Sequence, residues 1–121
     1  MKTVYIASKV KHAARWLRLR KQGYAINSTW IDEAGEDQNK DYTELAVRCL
    51  KEIQNADVLL LFCQRGEVLK GALIEAGAAL ALGKEVFCVG KCHTLSQVFR
   101  SHPNWKTFNN LLAALQVVKG Q

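Results

Sequence analysis

Val58-Leu-Leu-Leu-Phe62 is an unbroken apolar run, preceded by Asp57 and followed by a polar loop from Cys63 to Lys70. A short run without polar alternation is the pattern of a strand covered on both faces, as in the centre of a parallel sheet. After the loop comes Gly71-Ala-Leu-Ile-Glu-Ala-Gly-Ala-Ala-Leu-Ala-Leu-Gly83, which reads as a helix closed by a glycine. Glu85-Val-Phe-Cys-Val-Gly90 then reads as the next strand. Strand, helix, strand in this order is a βαβ unit.

Working outward, the same alternation continues. Towards the N-terminus, Asp41-x-x-Glu44 is a capping pair, and Tyr42, Leu45, Ala46, Cys49, Leu50 and Ile53 form one apolar helix face. Tyr24 to Trp30 is expected to be a strand, and residues 31–40 a polar, acidic loop placed to cover a site. Val10, Ala13, Ala14 and Leu17 recur at helical spacing, Gly23 ends that helix, Ser8 stands at its N-cap position, and Thr3 to Ala7 is the first strand. Trp16 falls off that apolar face, which suggests a subunit contact. Towards the C-terminus come a short helix near Thr94 to Ser101, a turn at His102-Pro103-Asn104, a strand near Trp105 to Phe108, and a helix from Asn109. The expected fold class is α/β: a three-layer Rossmann or flavodoxin-like domain spanning 1–121, with a five-stranded parallel sheet in the order 2-1-3-4-5.

Composition bounds the function. A chain of 121 residues, 49% hydrophobic, supports one core. No stretch has the form of a signal peptide or approaches the roughly 20 apolar residues of a membrane span, so no membrane association is expected. Cys49, Cys63, Cys88 and Cys92 without a secretory signal point to reduced thiols and a cytoplasmic protein. The net charge of +6 is concentrated early, in Lys2, Lys9, Lys11, Arg15, Arg18, Arg20 and Lys21, before the first acid at Asp32. That basic helix admits phosphate-bearing ligands, but no nucleic-acid-binding motif accompanies it, and nucleic acid is not the expected partner.

Glu75 is the one charge in its helix, and Gly71, Ala72, Ala78, Ala79 and Leu82 occupy the positions where a surface glutamate finds a cation. A carboxylate in such surroundings is either solvated at an exposed edge or has a perturbed pKa in a functional cleft. In the expected strand order the first and third strands are neighbours, and ligands bind beyond their carboxyl ends. Tyr5, Ala7, Ser8 and Lys9, the loop carrying Arg65 and Gly66, and the helix start at Gly71 converge there. Ser8, Lys9 and Arg65 are candidates for contact with a phosphate, and Trp30, beside Asp32, for stacking on a base. Cys88-x-x-x-Cys92-His93 lacks the paired spacing and fourth ligand of a zinc site, so no metal or other cofactor is expected.

Three segments resemble the nucleoside 2-deoxyribosyltransferases and the related nucleoside-monophosphate N-glycosidases: Val4-Tyr-Ile-Ala-Ser8, Ile53-Gln-Asn-Ala-Asp-Val-Leu-Leu-Leu-Phe62, and Gly71 to Lys84. The resemblance implies that Glu75 attacks the anomeric carbon of a nucleoside or its 5′-monophosphate, and that Tyr5 hydrogen-bonds this nucleophile. It also implies a homodimer or larger assembly. Two departures stand out. Cys49 lies near the place of a family aspartate, and Leu69 and Lys70 occupy a loop where the family often carries an acid. The leaving-group acid would then come from Asp57, Asp32 or a second subunit. The alternative is a non-catalytic protein that binds, senses or sequesters a nucleotide-derived ligand.

Overall fold

Four parallel strands, β1 (Val4–Ala7), β2 (Val58–Phe62), β3 (Glu85–Val89) and β4 (Trp105–Phe108), lie side by side in that order. They come from a computed structural model that describes residues 1–34, 41–92 and 95–120. Leu60 of β2 faces Ile6 on one side and Phe87 on the other, so the run that suggested a central strand occupies one. All five residues of β2 are buried, and Leu59, Leu60 and Leu61 each contribute about 1.5–3 kcal/mol by leaving water.

Helices cover both faces. Helix α1 (Ala13–Lys21) packs on the face presenting Val4, Ile6, Leu60 and Phe87, through Trp16. Helices α2 (Tyr42–Asn55) and α3 (Gly71–Ala81) pack on the other, which presents Tyr5, Ala7, Leu59 and Leu61. A short helix, α4 (Gln97–Arg100), precedes β4, and α5 (Leu111–Val118) returns to the α1 face through Ala114, Leu115 and Val118. Asp41 caps α2 by accepting from the Glu44 N–H, as the sequence pattern implies. Residues 35–40, within the acidic loop, and His93 and Thr94 lie outside the described residues.

The fifth expected strand is replaced by a different device. Val4 N–H donates to Ala25 O at 2.8 Å and Asn27 N–H to Val4 O at 3.0 Å, giving one parallel bridge between Val4 and Ile26. At the next rung side chains take over. The Ile6 N–H donates to Ser28 Oγ at 3.1 Å, and the Trp30 indole N–H donates to Ile6 O at 2.8 Å. The edge of β1 is thus satisfied without a second strand, and the backbone is free to enter a 3₁₀ turn at Thr29–Asp32. The sheet therefore has four strands, with a residual bridge where strand two was expected.

Two further expectations about the first helix change. Ser8 does not cap it: a 3₁₀ turn, Val10–His12, intervenes, and the Ser8 hydroxyl donates to Lys9 O and accepts from the Trp16 indole. Trp16 is fully buried against Phe62 and is a core residue, while Val10 and Leu17 are exposed. Of the residues at that apolar spacing only Ala13 is buried, beside Trp16, because the indole, anchored by one hydrogen bond, buries more surface than Val10, Ala14 or Leu17 and sets the inward face.

Candidate active site

Tyr5, in the middle of β1, projects onto the α2–α3 face and is completely buried. Helix α3 lies close against this face because its inward residues, Ala72, Ala76 and Ala79, are small. That approach brings Glu75 to Tyr5, whose hydroxyl donates to Glu75 Oε2. The partner that helical spacing could not supply comes from a strand instead. Cys49, from α2, is half-buried and lines the same cleft as Glu75. It is a wall of the site that also packs against the core beneath it.

Glu75 borders a cleft of about 380 Å³ between α2, α3 and the first 3₁₀ turns, walled by Val10, Trp30, Leu45, Cys49, Leu50 and Ile74. Burial in these apolar surroundings raises the Glu75 pKa; the Tyr5 hydroxyl opposes the rise, and the Glu52 carboxylate adds to it. Burial, then the charge of Glu75, holds the Tyr5 pKa above its ordinary value, so Tyr5 stays a donor throughout the physiological range. The site is a carboxylate more basic than usual, held in one orientation and bordering an apolar space.

This arrangement makes folding sensitive to pH with a definite sign. A carboxyl whose folded pKa exceeds its unfolded one binds more protons when folded, so its contribution to stability falls as pH rises through the interval between the two values. Glu75→Gln, which keeps the shape and removes the charge, is expected to raise the Tm at neutral pH. The gain should fade as pH falls through the interval between the raised folded value and the ordinary glutamate value, and be gone below it. Thermal melts of both proteins across pH check this, and a gain that grows on acidification would contradict it.

Other singled-out residues divide into those the fold brings to this cleft and those it does not. Trp30 and Gly71 line it, and Ala7 is buried at the end of β1. Lys9 and Arg65 are exposed, Lys9 just after β1 and Arg65 in the loop between β2 and α3. That loop has a built base: Glu67 accepts from the Gln64 N–H at 2.7 Å, and its other oxygen lies 2.9 Å from His12 Nε2. Burial pushes the Glu67 pKa up, but the Gln64 N–H, His12 and Lys11 outweigh it and leave it lowered. Gly66 turns the loop with φ 84°. Asp32 pairs with Arg20 of α1. Asp57 accepts from the Thr3 N–H at 2.8 Å where β2 begins, the opposite end of that strand from the loop leading into α3. Among the described residues no cluster of His, Cys, Asp and Glu has the arrangement of a metal site.

Glu52 is the residue that sequence reasoning passed over. It stands three positions after Cys49 on α2, its charge acts on Glu75, and its two oxygens accept from the Thr29 N–H and hydroxyl at 3.1 and 2.6 Å. Its position beside Ile53, at the border of the apolar face, was the available signal.

No protein-family model and no curated protein matches the sequence. Solved structures do match. A 2-deoxyribosyltransferase from the psychrotolerant bacterium Bacillus psychrosaccharolyticus aligns over 93% of this chain and 95% of its own, with a TM-score of 0.66 and 21% identity. The CMP N-glycosidase BcmB of Clostridium botulinum aligns over 99% of this chain and 100% of its own, with a TM-score of 0.59 and 20% identity. The chain has the fold of these two nucleoside and nucleotide enzymes. The alignment spans nearly the whole length of both, so the likeness is one of overall fold.

Proposed function

We propose that this protein cleaves the N-glycosidic bond of a nucleoside or nucleoside 5′-monophosphate, with Glu75 as nucleophile. The observation that carries the reading is the hydrogen bond from the Tyr5 hydroxyl to the Glu75 carboxylate at the edge of an apolar cleft, on the fold described above. One Glu75 oxygen attacks C1′ of the sugar. The C1′–N bond breaks, its electron pair leaves with the base, and a glycosyl ester forms on Glu75. Tyr5 holds the carboxylate in one rotamer. Water or a second base then takes the sugar from the ester and regenerates the carboxylate. Trp30 offers an indole face to the base, and Lys9, Arg65 and the backbone at Ser8, Gly66 and Gly71 lie in the segments that would meet a phosphate.

A second reading has its own support. Cys49 faces the cleft where an acid would assist departure of the base, and a thiol beside Tyr5 whose pKa is raised by burial is a poor substitute. That favours a protein that binds a nucleotide-derived ligand without turning it over. Incubation with a panel of nucleosides and 5′-monophosphates, followed by chromatography, separates the two: free base supports the enzyme, and a stoichiometric unconverted nucleotide supports the binder.

The assembly reading is a homodimer or larger homo-oligomer. Of the apolar face expected for α2, only Ile53 is buried in a single chain, while Tyr42 and Leu50 are exposed, as is Ile74 on α3. A second copy seated there would cover these residues and roof the cleft. None of the four cysteines is in a disulfide, and no described helix is long and apolar enough to cross a membrane, which supports a cytoplasmic setting.

A further inference from the structure

The segment that replaces strand two carries Trp30 into the cleft wall, and it is fastened from both sides. On the β1 side, Ser28 and Trp30 satisfy the two polar groups of Ile6. On the α2 side, Thr29 is held by Glu52, and its hydroxyl also accepts from Arg48 Nη1 at 2.6 Å. Arg48 Nη2 reaches Glu33, just past the turn, at 2.9 Å, and Asn27 donates from its side chain to the Glu52 carbonyl at 2.8 Å. Residues on both sides of Trp30 are thus tied to one helix, which itself contributes Leu45, Cys49 and Leu50 to the same cleft. Without these ties the segment would be held from the β1 side alone, by the bridge at Ile26 and the Ser28 and Trp30 hydrogen bonds to Ile6.

We propose that Glu52, Thr29 and Arg48 are positioning residues: they clamp the Trp30 turn onto α2, so that the indole is a fixed wall of the Glu75 cleft against which a planar base can stack. The clamp acts through Trp30 and makes no contact with substrate. Its charge-assisted hydrogen bonds are partly shielded from water, where they hold geometry better than exposed pairs do. It also explains an arrangement that pure stability would not favour: Glu52 is kept near Glu75 despite like charge, because its oxygens are committed to Thr29.

The test reads Trp30 directly. Trp16 and Trp105 are buried and Trp30 is half-buried, so acrylamide quenching of tryptophan fluorescence reports mainly on Trp30, with Trp30→Phe as the reference. Thr29→Val removes the hydroxyl that links Arg48 to Glu52, while Thr29→Ser keeps it. Thr29→Val is expected to increase quenching, with Thr29→Ser restoring the parent value and Trp30→Phe abolishing the difference. Glu52→Gln, which retains size and one acceptor, serves if Thr29→Val fails to fold, and should give an intermediate increase. The kinetic arm rests on the proposed glycosidic cleavage: KM should rise about tenfold in Thr29→Val, the equivalent of one charge-assisted hydrogen bond, with kcat nearly unchanged. Quenching that matches the parent in Thr29→Val and Glu52→Gln would overturn the clamp, as would a fall in kcat at constant KM. A parent protein that releases no base would defeat the proposed reaction and leave the quenching result to decide the clamp.

Discussion

Glu75→Ala is expected to lower base release by about 10³-fold or more, with the protein still folded, because a covalent nucleophile has no substitute in the cleft. Glu75→Gln should behave alike: its amide fits the same space and accepts from Tyr5, but it cannot form the ester. The pair separates chemistry from packing. Loss of activity only in the alanine variant would mean that the residue matters for shape, and full activity in both would remove Glu75 from the mechanism. Circular dichroism and the thermal melts described for Glu75→Gln confirm that each variant is folded. Residual turnover common to both would measure what the cleft achieves by orientation alone.

Gly90→Ala is expected to produce the largest loss of stability, roughly 3 kcal/mol. Gly90 follows β3 with φ 95°, a conformation that L side chains rarely adopt, and a Cβ there would lie 2.0 Å from Cys63 O. The first effect costs about 1–2 kcal/mol and the second a further 1–3, because the obstacle is backbone and cannot swing aside. Cys63 is itself fixed by its N–H bond to Val89 O at 2.9 Å, and it begins the loop that leads to Glu75. Urea denaturation should show a lower midpoint at unchanged slope, with the Tm falling by on the order of 10 °C. A change below about 1 kcal/mol would show that the two strand ends separate more easily than this packing implies.

Much of this architecture is legible in the sequence because it is written in periodicity. The apolar run of β2 and the small-residue pattern of α3 could be placed without coordinates, and Tyr5 was tied to Glu75 through a resemblance. The missing strand was not legible, since Tyr24 to Trp30 has strand-like composition. What decides it is that Ser28 and Trp30 use side chains to satisfy Ile6, a choice that propensity does not register. Trp16 was misplaced for a similar reason: its hydrogen bond to Ser8 settles which face is inward. Glu52 was missed because its role comes from Thr29, far along the chain, and not from its neighbours on α2.

The most direct test of the account is to trap the intermediate. A nucleoside or nucleoside 5′-monophosphate from the panel, fluorinated at C2′ so that the electron-poor sugar slows hydrolysis of the ester, is incubated with the protein. Acid quenching and peptide mapping by mass spectrometry follow. The account predicts a glycosyl adduct on the peptide from Gly71 to Lys84, assigned to Glu75 and absent from Glu75→Gln. Base release with no adduct at Glu75, or with the sugar on a different residue, would contradict it.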